Sequence, residues 1–207
     1  FFVGACFRVY KYGGGGPPPA AEALIEGLER AIGKAVGRWI YSRNGEGLEE
    51  IVGALLRTRG KTIACAESCT GGLIASRLTD VPGSSDYFLE SAVVYSNRAK
   101  TRRLGVPAEL IERHGAVSAA VARAMAAGIR RTSGADIGIA VTGVAGPGGG
   151  TARKPVGLVY VALAHARGVA VERKLLFGGR AQVKFQSSQK ALDMVRKTLT
   201  PRSGKAL

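Results

Sequence analysis

The sequence predicts an α/β fold, with helices layered on a mixed β-sheet. Three observations predict it. From residue 48 to residue 199, amphipathic stretches of helical period alternate with short apolar runs. The chain has 207 residues, 46% hydrophobic and only 6% aromatic, which suffices for a core packed from Val, Ile, Leu and Ala. Its last two apolar runs, 156–165 and 169–177, meet at Arg167-Gly168 as a hairpin, so the sheet is mixed rather than all parallel.

The elements follow in chain order. The alternation from Phe2 to Tyr10 reads as a strand, and Gly13–Gly16 with Pro17–Pro19 breaks it into a loop. Leu24, Leu28, Ile32, Val36 and Ile40 then recur at helical spacing. Those pieces cannot close a core by themselves, so 1–46 is expected to be the remnant of a preceding domain or a linker, with the boundary in Ser42–Gly47. The main domain is expected over 47–200, and 201–207 is a tail. Leu48–Arg57 is helical, Lys61–Ala66 a strand, and Thr70–Leu78 a helix. Ser91–Tyr95 is a strand, followed by helices from Arg98 and from Pro107, where proline suits a helix start. Ser118 caps a helix to Arg131. Asp136–Thr142 is a buried strand, and a basic helix over 181–199 follows the hairpin.

Composition excludes several classes of function. No apolar run approaches the roughly 18 residues of a membrane span. Three cysteines (Cys6, Cys65, Cys69) are too few for a disulfide framework, which predicts a cytoplasmic setting. With only two histidines (His114, His165) and no Cys/His cluster, no metal site is expected. The formal charge is +15, and the excess is concentrated: residues 151–207 hold 12 basic side chains against Glu172 and Asp193 alone. Such a surface attracts anions, from a phosphate-bearing metabolite to nucleic acid.

Three segments break the local pattern just past a strand, where open α/β sheets bind ligands. In Ala66–Gly72 an apolar strand runs into Glu67, Ser68, Cys69 and Thr70, then into Gly71 and Gly72 at a helix start. Free N–H groups there suit an oxyanion, although Ser68 and Thr70 also read as ordinary caps. Tyr95–Lys100 offers a phenol, the Asn97 amide and an amine. Thr142–Thr151, rich in glycine, reads as an anion nest or as a flexible connector. It is neither a P-loop nor a dinucleotide fingerprint.

Elimination narrows the nucleophile without settling it. Ser68 lies in neither a Gly-x-Ser-x-Gly elbow nor a Ser-x-x-Lys motif. A serine needs a base, and a lysine amine serves as one only when burial or nearby charge lowers its pKa. Lys100 has Arg98, Arg102 and Arg103 beside it in sequence. Cys69 with His114 is the thiol alternative.

The blocks Ala66–Gly72, Val94–Asn97, His114–Ser118, Thr142–Pro147 and Lys154–Gly157 occur in order. In this the chain resembles the carboxy-terminal domain of the CinA (competence/damage-inducible) family, the nicotinamide-nucleotide amidohydrolases, from about Leu48 to Leu199. The resemblance implies a three-layer α/β/α sandwich, a homo-oligomer, and hydrolysis of the carboxamide of nicotinamide mononucleotide to nicotinate mononucleotide and ammonia, with no cofactor. It implies Ser68 as nucleophile, Lys100 as general base and Tyr95 as a hydroxyl that relays or orients the proton. Substrate contacts fall on Glu67, Thr70, Gly71, Gly72, Asn97, Thr142, Gly143, Ala145 and Gly146. Two positions depart from the family pattern: Arg98 and Gly179 each stand where an acid is common. Arg98 is expected to lower the Lys100 pKa further or to disturb a salt bridge. The alternative is a non-catalytic nucleotide-binding or nucleic-acid-associated module, suggested by the basic last quarter.

Overall fold

The computed structural model describes residues 19–37, 40–42 and 44–200. The strand expected over 2–10, most of the Gly/Pro loop and the tail lie outside them. The chain divides into two compact units, Phe1–Gly47 and Leu48–Leu207. In the first, helix α1 (Pro19–Val36) forms as its periodicity predicts, with Leu24, Leu28 and Val36 exposed.

The second unit alternates α2 (Leu48–Thr58), β1 (Ile63–Glu67), α3 (Leu73–Thr79), β2 (Phe88–Val93), α4 (Asn97–Leu104), α5 (Ala108–His114), α6 (Ala119–Ser133), β3 (Ile137–Gly143), β4 (Leu158–His165), β5 (Gly168–Leu175) and α7 (Arg180–Leu199). The sheet order is β2-β1-β3-β4-β5. β1 runs parallel to both β2 and β3, while β4 and β5 are antiparallel additions. The fold is therefore the α/β layered type with a mixed sheet.

Side-chain alternation along the strands divides the helices between two faces. Ala64, Ala66, Ala140, Ala162 and Ala164 pack on α6 with Leu104 of α4 and Ile111 of α5. That face is lined by alanines, so α6 lies close to it. A Cβ on Gly138 would run into the Ala126 carbonyl and Arg130 of α6. Glu67 points the other way and meets α3. On that second face α2, α3 and α7 pack together.

Several boundaries differ from the sequence expectation, among them the end of α1, which comes at Val36 before Ile40, and the starts of β2 and α3. β2 begins three residues early, at Phe88, because the register slips between Ile63 and Ala64 and leaves Leu89 unpaired. This edge strand carries an irregular mixture of exposed and half-buried positions, which hides its period. α3 begins at Leu73 rather than Thr70, because Gly71 (φ 63) and Gly72 (φ 96) take left-handed backbone and hold the chain in a turn.

The second face is tied by one buried cation. Arg77 of α3, 7% exposed, donates to Glu49 of α2 and to Ser188 and Gln189 of α7. Its guanidinium also lies 5.0 Å from the centre of the Phe185 ring. Removing it strands Glu49 and two amphipathic partners. Arg77→Leu is expected to lower unfolding stability by about 3 kcal/mol, measured as a fall in the urea midpoint with an unchanged slope.

Candidate active site

The parallel strands β1, β2 and β3 end on the same side of the sheet, so the segments after them meet. The Ser68 N–H donates to the Val141 carbonyl of β3 at 3.0 Å, and the Val94 N–H to the Glu67 carbonyl at 2.8 Å. Ser68 thus lies in the middle of the convergence, 8% exposed.

Lys100 reaches it from α4. The Ser96 hydroxyl caps this helix by accepting from the Ala99 N–H at 3.1 Å. Its one-turn-on residue, Lys100, is directed inward and is 1% exposed. The Nζ lies 3.2 Å from Ser68 Oγ, 2.9 Å from the Val94 carbonyl and 3.1 Å from the Tyr95 carbonyl. Two of its three directions are therefore taken by backbone acceptors, and the third points at the serine hydroxyl. In the neutral amine that third direction is the lone pair.

Burial is what lowers the Lys100 pKa below the ordinary lysine value. The opposing influence comes from Cys69, whose thiol is itself kept protonated. Arg98, Arg102 and Arg103 are exposed and contribute nothing to the shift, which corrects the expectation drawn from their sequence proximity.

The turn after Ser68 is arranged differently from the expected helix start. Glu67 is fully buried, and its carboxylate accepts from the N–H groups of Gly72, Ile74 and Ala75 at 2.9, 3.1 and 2.9 Å. It caps α3 from the strand side and is not available to a substrate. The Gly71 N–H is turned to the Ser68 carbonyl at 3.2 Å. Of the N–H groups considered for an oxyanion, Gly71 and Gly72 are thus occupied. The N–H of Thr70 has no acceptor among the described residues, and that of Cys69 faces only its own sulfur. Thr70 Oγ1 is also buried with no partner among them.

Tyr95 does not bring its phenol to Ser68 or Lys100. The ring is 60% exposed and its hydroxyl accepts from Arg180 at 2.8 Å, so its contact with Lys100 is through the backbone carbonyl alone. The other Arg180 nitrogen donates to the Gly146 carbonyl at 2.8 Å. Arg180, at the start of α7, thereby joins the segment after β2 to the segment after β3.

The remaining expected contacts divide. Asn97 opens α4 and is exposed, with no side-chain hydrogen bond among the described residues. The Thr142 hydroxyl donates to the Ala116 carbonyl at 2.9 Å and is 1% exposed, so it anchors the chain instead of facing the cleft. Gly143 is packed against Val159 and the Leu158 carbonyl, and Ala145 is buried. The glycine-rich segment is tied down at its start, where the Val144 N–H donates to the Leu158 carbonyl at 2.9 Å, and is exposed from Pro147 to Thr151. Gly157 (φ 88) lies so close to the Leu176 carbonyl that no Cβ fits, and Lys154 donates to the His114 carbonyl at 2.6 Å. Sequence reasoning missed the role of Arg180, for which the available signal was a run without any acid between Glu172 and Asp193.

Comparison with known proteins identifies the family. The family model of the CinA C-terminal domain matches residues 45–199. The chain belongs to the CinA family. It is 50% identical over 182 residues to a CinA-like protein of Geotalea uraniireducens, covering 86% of this chain and 43% of that one. A CinA-like protein of Koribacter versatilis is 50% identical over 179 residues, again covering 86% and 43%. The chain thus spans less than half the length of these curated relatives. Among solved structures, the CinA superfamily protein of Klebsiella pneumoniae 700603 superposes with a TM-score of 0.71 at 34% identity, over 73% of this chain and 95% of that one. The competence/damage inducible protein of Agrobacterium tumefaciens gives 0.69 at 40% identity, over 74% and 96%.

The thiol alternative has poor chemistry here. Cys69 is 4% exposed and burial pushes its pKa up to about 12. Among the described residues no histidine bonds to it, since no shift cause involves His114. At pH 8 its thiolate fraction is about one in 10⁴. Cys65 is buried as well. Both are expected to resist iodoacetamide at pH 8 in the native protein and to react fully in denaturant, as read by mass spectrometry.

Proposed function

We propose that this CinA-family domain hydrolyses the carboxamide of nicotinamide mononucleotide to nicotinate mononucleotide and ammonia through an acyl-enzyme on Ser68. The observation that carries the reading is the buried Lys100 amine 3.2 Å from Ser68 Oγ, held by two backbone carbonyls. The substrate comes from the family resemblance, and the proton chemistry from the site.

Neutral Lys100 takes the Ser68 proton as Oγ attacks the carboxamide carbon. The oxyanion forms beside the N–H groups of Cys69 and Thr70. A good donor in such a position is worth about 3 kcal/mol to the transition state. Lys100, now an ammonium, delivers its proton to the departing nitrogen, and ammonia leaves with the C–N bond broken. Water then attacks the ester, Lys100 accepts one of its protons, and collapse returns Ser68 as the hydroxyl and the product as a carboxylate. The second proton of the water leaves to solvent as the product acid ionises. Tyr95 and Arg180 serve the rim of the cleft, binding and orienting the nucleotide.

Ammonia release from nicotinamide mononucleotide tests the reading directly. Ser68→Ala is expected to lower kcat by about 10⁴-fold or more, and Lys100→Ala by about 10²- to 10⁴-fold. Equal turnover in either variant removes that residue from its role. Lys100→Arg is expected to be as inactive as Lys100→Ala, because a guanidinium stays protonated.

The pH dependence follows from the direction of the Lys100 shift. The active form is the neutral amine, so kcat/KM rises with pH and levels off above the Lys100 pKa. Because burial lowers that pKa, the midpoint is expected below the ordinary lysine value of about 10.4. A pH–rate profile rising with no midpoint below that value contradicts a desolvated base.

A further inference from the structure

The two edges of the sheet are built differently. β5, at one edge, carries Glu172, Arg173 and Lys174 in succession, and Arg123 of α6 donates to its Val169 carbonyl at 2.6 Å. Charges and covering side chains of this kind keep another strand from pairing there. β2, at the other edge, has no lysine, arginine or proline in Phe88–Val93. Its one charge is Glu90, and it leaves Leu89 47% and Val93 52% exposed. The Val94 N–H turns inward to the Glu67 carbonyl, so alternation turns the backbone groups of Ser91 and Val93 outward, away from β1. Outward backbone groups with exposed aliphatic side chains beside them form a template for a further strand.

We propose that β2 pairs antiparallel with β2 of a second copy of this chain, about a two-fold axis at Ser91, to make one continuous sheet through both copies. A two-fold axis normal to the sheet keeps every side chain on its own face, so the axis must pass through a residue position. Centring on Glu90 sets two carboxylates directly opposite each other, which is destabilising. Centring on Ala92 carries Leu89 past the end of the strand, opposite the partner's Tyr95. Centring on Ser91 sets Leu89 opposite the partner's Val93, twice over, and Glu90 opposite the partner's Ala92. The two Ser91 residues then exchange backbone hydrogen bonds. This self-complementarity is what selects a second copy as the occupant. The assembly also closes: both β2 edges are used, and each end of the joined sheet is a β5 edge that already carries its charges. The inference is independent of the amidohydrolase reading, because its readout is mass and not turnover.

Sedimentation velocity of the full chain across the micromolar range is expected to show a species of twice the 21.5 kDa chain mass. Leu89→Glu puts a carboxylate against the partner's Val93 at two symmetry-related places, and is expected to raise the dimer dissociation constant about 100-fold or more. Val93→Lys is expected to do the same. The double variant Leu89→Glu/Val93→Lys sets opposite charges across this one register, and is expected to return the constant to within about 10-fold of the parent. Positions 89 and 93 of one chain lie about 13 Å apart along the strand, so the rescue has no explanation within a single copy. Both side chains are half-exposed, and circular dichroism is expected to show all three variants folded. A monomeric parent chain, a dimer unmoved by either single variant, or a double variant as weak as the singles overturns the proposal.

Discussion

A lysine amine taken out of water is the constraint on which the site depends. Desolvation disfavours its charged form, and the cost is tolerable only if the donors it keeps are satisfied. The Val94 and Tyr95 carbonyls do this, and both belong to the short segment between β2 and α4. That segment cannot move without releasing the amine. It also fixes where the free valence points, which is at Ser68. The same two contacts therefore make the lysine affordable to bury and chemically directional.

The turn after β1 shows a second economy of polar groups. A helix start leaves N–H groups without partners, and the expectation was that an anionic transition state would use those of Thr70, Gly71 and Gly72. Glu67 takes the Gly72, Ile74 and Ala75 donors from beneath, with Ser91 Oγ 3.4 Å from the same oxygen that accepts from Ala75. The Gly71 N–H turns back to the Ser68 carbonyl. Among the described residues, the Thr70 N–H is then the donor of this turn left without an acceptor.

Much of the fold was legible in the sequence because period and turn chemistry are local. The hairpin at Arg167-Gly168, the Ser118 cap and the long basic helix appear where their patterns place them. β2 was misplaced because it is an edge strand with a bulge, so half-exposed positions blur its alternation. The site was legible as a set of strand ends and not as contacts. The direction of the Tyr95 phenol depends on Arg180, 85 positions away, and no window along the chain reveals that pairing. The Thr142 hydroxyl likewise turns to a carbonyl on the loop after α5. Charge proximity in sequence misled for a simple reason: on α4 the inward position belongs to Lys100, and the arginines around it point to solvent, where screening removes their influence.

The two helical layers contribute different chemistry to one strand end. α4 belongs to the layer of α6, where Leu104 joins the alanine-lined core, and it delivers the buried Lys100 amine. α7 belongs to the opposite layer, locked to α2 and α3 through Arg77, and it delivers Arg180. Ser68 stands where β1 ends, at the seam between the layers, and can be reached from both. Two cations in one microenvironment work against each other, since a second ammonium beside Lys100 would compete for its carbonyls and for the serine. The two helical layers keep them apart, with the Lys100 amine desolvated on the α4 side and the Arg180 guanidinium on the α7 side. Arg180 closes the seam from that side by holding the segments after β2 and β3 together.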